Sequence, residues 1–419
     1  MFSIEGIIVN TDGQKRGRIE IDRNTGLIAR VGEPMGGANV VLKDELIFPG
    51  FVDIHVHARE CADHSQDYKE DFKTAGEAAI NGGVVAFMEM PNNPVPPVDD
   101  KSYAKKKVLT RKSPVEVVLY AGIGQNTGPL TEYVPYKVFM GPSIGELFFH
   151  SQEELEKVLA RYRGCSVSFH CEDPEILEKS KGEPTHEKRR PKEAEIKAID
   201  FALMMIEKYD LRGKICHCST WEGIEKIKNA KMEKVNVVAE VSPHHLYFFA
   251  QGGSAYGGDG SIIDESRTKM MQMNPPLRDS EDRNHLIQAL KDGTIDFVAT
   301  DHAPHTEEEK SKGTSGTPQL DTYGPFVTWL LEKHSFTPEM IARVCGHNPG
   351  NFINQFISDK YGRIAPGYTG SLTVLDLNKP VTITKDKLKT KCGWSTYEGI
   401  TFPGSVMMTV VRGKVYDKR

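Results

Sequence analysis

The sequence predicts an α/β protein: a (β/α)8 barrel of the TIM type over residues 49–365, with a small composite β-sandwich made from residues 1–48 and 366–419. Three observations carry this reading. From about 49 to 365 apolar strands alternate with longer helical patterns, the texture of a parallel sheet. The strand candidates there number eight and each ends in a polar residue, which favours a closed barrel with those ends on one rim over an open doubly wound sheet. The two chain ends read instead as short β-segments parted by Gly and Pro.

The N-terminal piece offers Ile7–Val9, a turn at Asp12-Gly13, Gly17–Ile21 and Leu27–Val31. The C-terminal piece offers Leu372–Leu375, Val381–Ile383 and Val406–Val411. Neither is long enough to bury a face alone, so the two are expected to pair with each other. In the middle, strands begin near Val52, Val84, Val115, Tyr136, Val167, Lys214, Val235 and Phe297, and helical patterns include Ser151–Arg161, Lys192–Tyr209 and Ser280–Lys291.

Composition narrows the function classes. The 419 residues are 38% hydrophobic and 26% charged, which supports a sizeable core and excludes intrinsic disorder. The formal net charge is −5, without a long run of one sign, so neither nucleic acid nor a membrane surface is an expected partner. No run approaches the roughly 18 apolar residues of a membrane helix, and Met1–Glu5 lacks the basic and apolar regions of a signal peptide, so a cytoplasmic protein is expected. Seven cysteines at irregular spacing, without a C-x-x-C pair, suggest neither a disulfide framework nor a zinc knuckle. In Cys216-His217-Cys218 a continuing strand would turn both sulfurs away from the imidazole.

Chemistry concentrates at strand ends. In Val52-Asp53-Ile54-His55-Val56-His57 the alternation of a strand sends both imidazoles off one face, with Cα atoms about 6 to 7 Å apart, which suits two ligands of one divalent ion. H-x-H alone is weak; its place at the end of the first barrel strand strengthens it. Phe297–Thr300 then delivers Asp301, followed by His302 and His305. His170 ends Cys165–Phe169 and His217 ends Lys214–Cys216; each alone reads as a hydrogen-bonded core or rim histidine. Four strands ending in His or Asp around one rim read together as a metal centre.

Lys137, in Tyr136-Lys137-Val138-Phe139-Met140, is either a snorkelling surface residue or a buried amine. Burial opposes the ammonium, and a neutral amine can capture carbon dioxide as a carbamate, an anionic bridge able to hold two zinc ions about 3.5 to 4 Å apart with a hydroxide between them.

The ordered set His55, His57, Lys137, His170, His217 and Asp301 resembles the binuclear metal amidohydrolase superfamily, and the surrounding sequence is similar to its dihydroorotase branch over nearly the whole chain. The specific motifs are His55–Glu60, Met90–Asn93, Glu240–Leu246, Met273–Arg278 and Thr300–His305. The resemblance implies that His55, His57 and Asp301 hold the more buried zinc, His170 and His217 the other, and N6-carboxylated Lys137 with a hydroxide bridges the pair. It also implies that Arg59, Asn92 and His305 take the substrate carboxylate and Asn274 the pyrimidine ring. A planar guanidinium at Arg59 suits that grip; its bland alternative is a rim salt bridge to Glu60.

The implied reaction is reversible closure of N-carbamoyl-L-aspartate to dihydroorotate and water, a step of pyrimidine synthesis, with Asp301 as general acid and base. In the family the segment Gly141–Leu147 can close over substrate, which puts a lid tip at Ser143 and Ile144. A homo-oligomer and a transcarbamoylase partner are both compatible with the resemblance. The chain departs from the family at Cys61-Ala62, at Asn93 and at Gln319-Leu320-Asp321; the last removes a glycine that would let backbone approach the ring.

Two other readings stand beside this one. Hydantoinases and allantoinases share the metal set, but their neutral rings offer Arg59 and Asn92 no carboxylate. A non-catalytic scaffold would be expected to lose ligands, and here all six positions are filled. Gly122–Gly128 reads as a βα loop, Lys105-Lys106-Lys107 as a solvated helix face, and His244 and His245 as groups that either support the ligands or hold structure.

Overall fold

A computed structural model describes residues 1–142 and 147–418. The lid tip expected at Ser143 and Ile144 lies outside these residues.

Eight strands fall where the sequence places them: β1 (Phe51–Val56), β2 (Val84–Glu89), β3 (Glu116–Leu119), β4 (Tyr136–Phe139), β5 (Ser166–His170), β6 (Arg212–Ile215), β7 (Val237–Val241) and β8 (Phe297–Val298). Every residue of β1, β2 and β5 is buried, the signature of parallel strands covered on both faces. β1, β2 and β3 pair in parallel, and so do β4 through β8 in order. Two joints link these arcs. Ala121-Gly122, one residue beyond β3, pairs in parallel with β4, and the intervening Tyr120 N–H donates to Glu89 O at 2.9 Å. Beyond β8, His302 bridges in parallel to Val56 at the end of β1, where His57 N–H donates to His302 O at 2.7 Å.

Local chemistry sets the helix ends. Between β1 and β2, α1 (Phe72–Gly82) starts at Asp71, whose carboxylate accepts from Thr74 N–H while the Thr74 hydroxyl reaches back, and stops at Gly83 in the left-handed region (φ 86°). Phe72, Ala75, Ala78 and Ala79 form its buried face. The three helical patterns become Gln152–Leu159 with Ser151 as cap, Lys192–Lys208, and Ser280–Asp292 with Asp279 as cap.

The chain ends pair in one continuous sheet of seven strands, in place of two separately paired layers. Its order is Lys414–Asp417, Ser405–Val411, Leu372–Asp376, Val40–Pro49, Phe2–Asn10, Gly13–Asp22 and Leu27–Gly32. Val40–Pro49 pairs on both sides, so N- and C-terminal pieces share one ladder. The sheet curls until Ile21 meets Gly370 and Gly413, enclosing its own core of Phe2, Ile4, Ile19, Leu372, Val374 and Met408. It is anchored to the starts of β1 and β2: Thr373 Oγ1 accepts from Phe51 N–H (3.0 Å) and donates to Gly83 O (2.5 Å). That leaves the opposite strand ends clear for the site. Among the described residues no helix is long and apolar enough to cross a membrane.

Candidate metal centre

The alternation of β1 delivers His55 and His57 together, ring centroids 5.3 Å apart, and Asp301, three residues past β8, places Oδ1 3.2 Å from Nε2 of each. His170 closes β5 and His217 follows β6; His170 Nδ1 faces His217 Nε2 at 2.9 Å, and the His217 ring lies 5.3 Å from His55. Lys137 on β4 is fully buried. His55, His57, His170, His217 and Asp301 thus converge at one end of the strands, and buried Lys137 interacts electrostatically with each of them.

Most of these imidazoles are held from behind. His55 Nδ1 meets the Glu240 carboxylate, which also takes Lys214 Nζ at 2.5 Å. His57 Nδ1 donates to Asn92 Oδ1 at 2.6 Å, and His170 Nε2 to Glu172 Oε2 at 2.8 Å, with Arg190 against the same carboxylate. Such acceptors fix which ring nitrogen points inward. The exception is His217, whose buried Nδ1 has no hydrogen-bond partner among the described residues.

Electrostatics suit a cation. Burial, followed by the Glu240 charge that opposes it and the Lys137 charge that adds to it, leaves His55 down at about 3, and burial pushes His57, His170 and His217 below their ordinary range. The rings are therefore neutral, as ligands must be. Burial lifts Asp301 to about 8, the state of a carboxyl group short of positive charge. Four imidazoles and a carboxylate form a donor set that zinc accepts, and the inward atoms of His55, His57 and Asp301 lie within 4.8 Å of one another.

Arg59, Asn92 and Asn274 line the cleft above, with Phe139, Ala303, Ser315 and Gly316. Arg59 sits in the left-handed region (φ 64°) and is 0% exposed. Its Nε–H donates to Pro304 O (3.1 Å) and Nη2–H to His305 Nε2 (3.0 Å), while buried Nη1 has no partner among the described residues. Asn274 Oδ1 is likewise buried and unpartnered among the described residues. His305 Nε2 accepts from Arg59, and its Cδ2 lies beside Gly316 of the cleft lining.

Several readings change. Glu60 pairs with Lys112, not Arg59. Lys106 is not part of a solvated face: it is 1% exposed and its Nζ meets Glu89 Oε1 at 3.0 Å, whereas Lys105 and Lys107 do face solvent. The alternation expected through Cys216-His217 stops because β6 ends at Ile215 and His217 turns to φ 32°; the Cys216 thiol lies 2.9 Å from Lys137 Nζ and the His217 imidazole also turns inward. His244 and His245 share the Ser242 hydroxyl (2.8 and 2.7 Å), and His245 Nε2–H donates to Pro275 O at 3.0 Å, beside Asn274. Gln319 points its amide to Thr317 and Thr396, while Gly316, with φ 126°, lines the cleft. Sequence reading quoted Glu240 and Phe139 within their motifs but gave neither a role; Glu240 meets His55 Nδ1, and Phe139, two residues past Lys137 on β4, lines the cleft.

A cleft over clustered histidines and a buried carboxylate, at the ends of parallel strands, defines a metal-dependent hydrolase, and residues 46–416 match the amidohydrolase family. The chain belongs to the amidohydrolase family. Within it, the chain is 32% identical to a dihydroorotase of Pyrococcus furiosus over 374 residues, 89% of this chain and 82% of that protein. It is also 32% identical to a dihydroorotase of Thermococcus kodakarensis over 421 residues, 99% of this chain and 92% of that protein. Among solved structures, an L-hydantoinase (dihydropyrimidinase) of Arthrobacter aurescens superposes with a TM-score of 0.86 at 22% identity, covering 100% of this chain and 96% of its own, a likeness of fold.

Proposed function

We propose that this protein is a dihydroorotase, interconverting N-carbamoyl-L-aspartate and dihydroorotate in pyrimidine synthesis. The observation that carries the choice among cyclic amidohydrolases is Arg59: a fully buried guanidinium in the cleft, with one nitrogen unpartnered among the described residues. A buried unpaired donor of this kind costs free energy unless an anion answers it, and dihydroorotate has a carboxylate where hydantoin has none. Dihydroorotase relatives covering most of the chain support the same reading.

The two strand arcs read as one closed (β/α)8 barrel over 49–365, with 1–48 and 366–419 as the sandwich-like accessory domain. His55, His57 and Asp301 would hold one zinc, His170 and His217 a second, and carboxylated Lys137 would bridge them. Bound there, the two ions would supply Lewis acidity toward the ring carbonyl and make water acidic enough to attack near neutral pH.

The chain's own residues do the rest. Arg59 and Asn92 grip the carboxylate, His305 braces Arg59, and Asn274 meets the ring amide. In hydrolysis Asp301 Oδ1 takes the proton released by the attacking water and hands it to the departing ring nitrogen. In synthesis the path reverses: Asp301 takes the proton from the ureido nitrogen as it attacks the carboxylate carbon and passes it to the departing oxygen, which takes a second proton from solvent to leave as water.

The test is an assay of dihydroorotate hydrolysis and its reverse. Chelated protein should be inactive and recover with zinc and bicarbonate, with hydantoin and allantoin as control substrates. Turnover of hydantoin without turnover of dihydroorotate would overturn the assignment.

A further inference from the structure

Lys69, Lys106, Lys137, Lys214 and Lys310 are all no more than 5% exposed, and Lys310 Nζ donates to the Gln272 and Thr314 carbonyls at 2.7 and 2.8 Å. Three of them meet a carboxylate: Lys69 reaches Glu309 at 2.8 Å, Lys106 Glu89 at 3.0 Å, and Lys214 Glu240 at 2.5 Å. Lys137 meets none at ion-pairing distance among the described residues. Its Nζ lies 2.9 Å from Cys216 Sγ, with the Phe139 ring centroid at 5.2 Å.

We propose that Cys216 is a positioning residue for Lys137: its Sγ accepts the single N–H that Lys137 keeps after carboxylation and thereby fixes the plane of the carbamate. The inference rests on reading Lys137 as the bridging carbamate. In the covalent step the Nζ lone pair forms the N–C bond to carbon dioxide, a C=O π pair moves onto oxygen, and one Nζ proton passes to water. One N–H remains. A carbamate is flat by the resonance that flattens a peptide, so holding its N–H sets the direction of both oxygens.

The backbone holds the thiol in place. Cys216 N–H donates to Phe169 O at 3.0 Å, and the turn at His217 follows at once. A carboxylate in this position would set a second negative charge beside the carbamate; a thiol accepts the hydrogen bond without one.

The test uses full-length protein stripped of metal in bicarbonate-free buffer. Labelled bicarbonate is then titrated in with zinc present, and zinc bound per chain is read together with the carbon-13 carbamate resonance. Cys216→Ala should need roughly tenfold more bicarbonate for half-maximal loading, the equivalent of about one hydrogen bond. Cys216→Ser keeps an acceptor and should return to within about threefold of wild type. Cys216→Val fills the thiol's volume without an acceptor and should match alanine, which keeps the comparison decisive if the alanine variant unfolds. Carbamate formation at the wild-type bicarbonate concentration in both acceptor-free variants would overturn the positioning role and leave the bridge standing. Wild-type protein loading two zinc ions with no carbamate resonance would overturn the bridge, and this inference with it.

Discussion

Arg59 Nη2 and His305 Nε2, 246 positions apart in the chain, lie 3.0 Å from each other under the lip of the cleft. On its other side His305 Nδ1 faces both Lys69 Nζ at 3.3 Å and Glu309 Oε2 at 3.4 Å. Burial, and then the Arg59 charge, push His305 down to about 2, which keeps it an acceptor for the guanidinium across the working range. The pair therefore acts as one unit: the ring and Pro304 O fix the guanidinium's plane, and Nη1 stays free for a ligand.

Arg59→Lys should accordingly lower kcat/KM for dihydroorotate by about 10²-fold, since a lysine keeps the charge but loses the planar fork and both fixing bonds. Zinc content should be unchanged. A loss smaller than about threefold would show that the carboxylate is gripped elsewhere.

Lys106 and Glu89 test a different kind of dependence. The pair is buried, and Glu89 Oε2 also accepts from Ala58 N–H at 2.5 Å, next to Arg59. Lys106→Met leaves the carboxylate uncompensated and should cost about 3 to 5 kcal/mol, seen as a fall of several degrees in melting temperature. Adding Glu89→Gln should recover most of that stability while activity stays low, because Ala58 and Arg59 lose their anchor. A single variant that melts with wild type would rule the argument out.

This pair marks where sequence reading stops. The eight strand starts and the His55/His57 geometry were legible because strand alternation is a local rule. The fate of Lys106 was not: three consecutive lysines on a polar helix read as solvated, and only the tertiary approach of β2 decides which one turns inward. Cys216 was misread for a related reason, since alternation predicts its direction only while the strand lasts, and β6 ends one residue earlier.

His245 gives a pH prediction. Burial pushes its imidazole down to about 4 from an ordinary value near 6.5. Between those values the unfolded chain binds a proton here that the folded chain does not, so stability falls as pH drops through that window and this contribution is flat outside it. In metal-free His245→Gln, whose amide can still donate to Pro275 O, the slope of unfolding free energy against pH from 6.5 to 4 should be shallower by up to one proton. Urea midpoints at several pH values measure it, and superimposable slopes would sink the assignment.

Gly316 brings backbone to the cleft wall. Its φ of 126° is one that residues with a Cβ rarely adopt, and a Cβ there would lie 2.7 Å from Ala303 O and 3.0 Å from His305 Cδ2. Its N–H donates to Gln272 O at 2.9 Å, so it cannot retreat without breaking that bond. In Gly316→Ala the strain therefore falls on Ala303–His305, the segment that supports Arg59, and less on Asp301, which is set by its place after β8. Kinetics and metal content should separate: kcat/KM is expected to fall by about tenfold or more, mostly through KM, while the protein still loads its zinc. Loss of both together would mean that the loop and the ligands move as one body. Retention of both would mean that the cleft tolerates a methyl group at this contact, and that substrate is not read by backbone here.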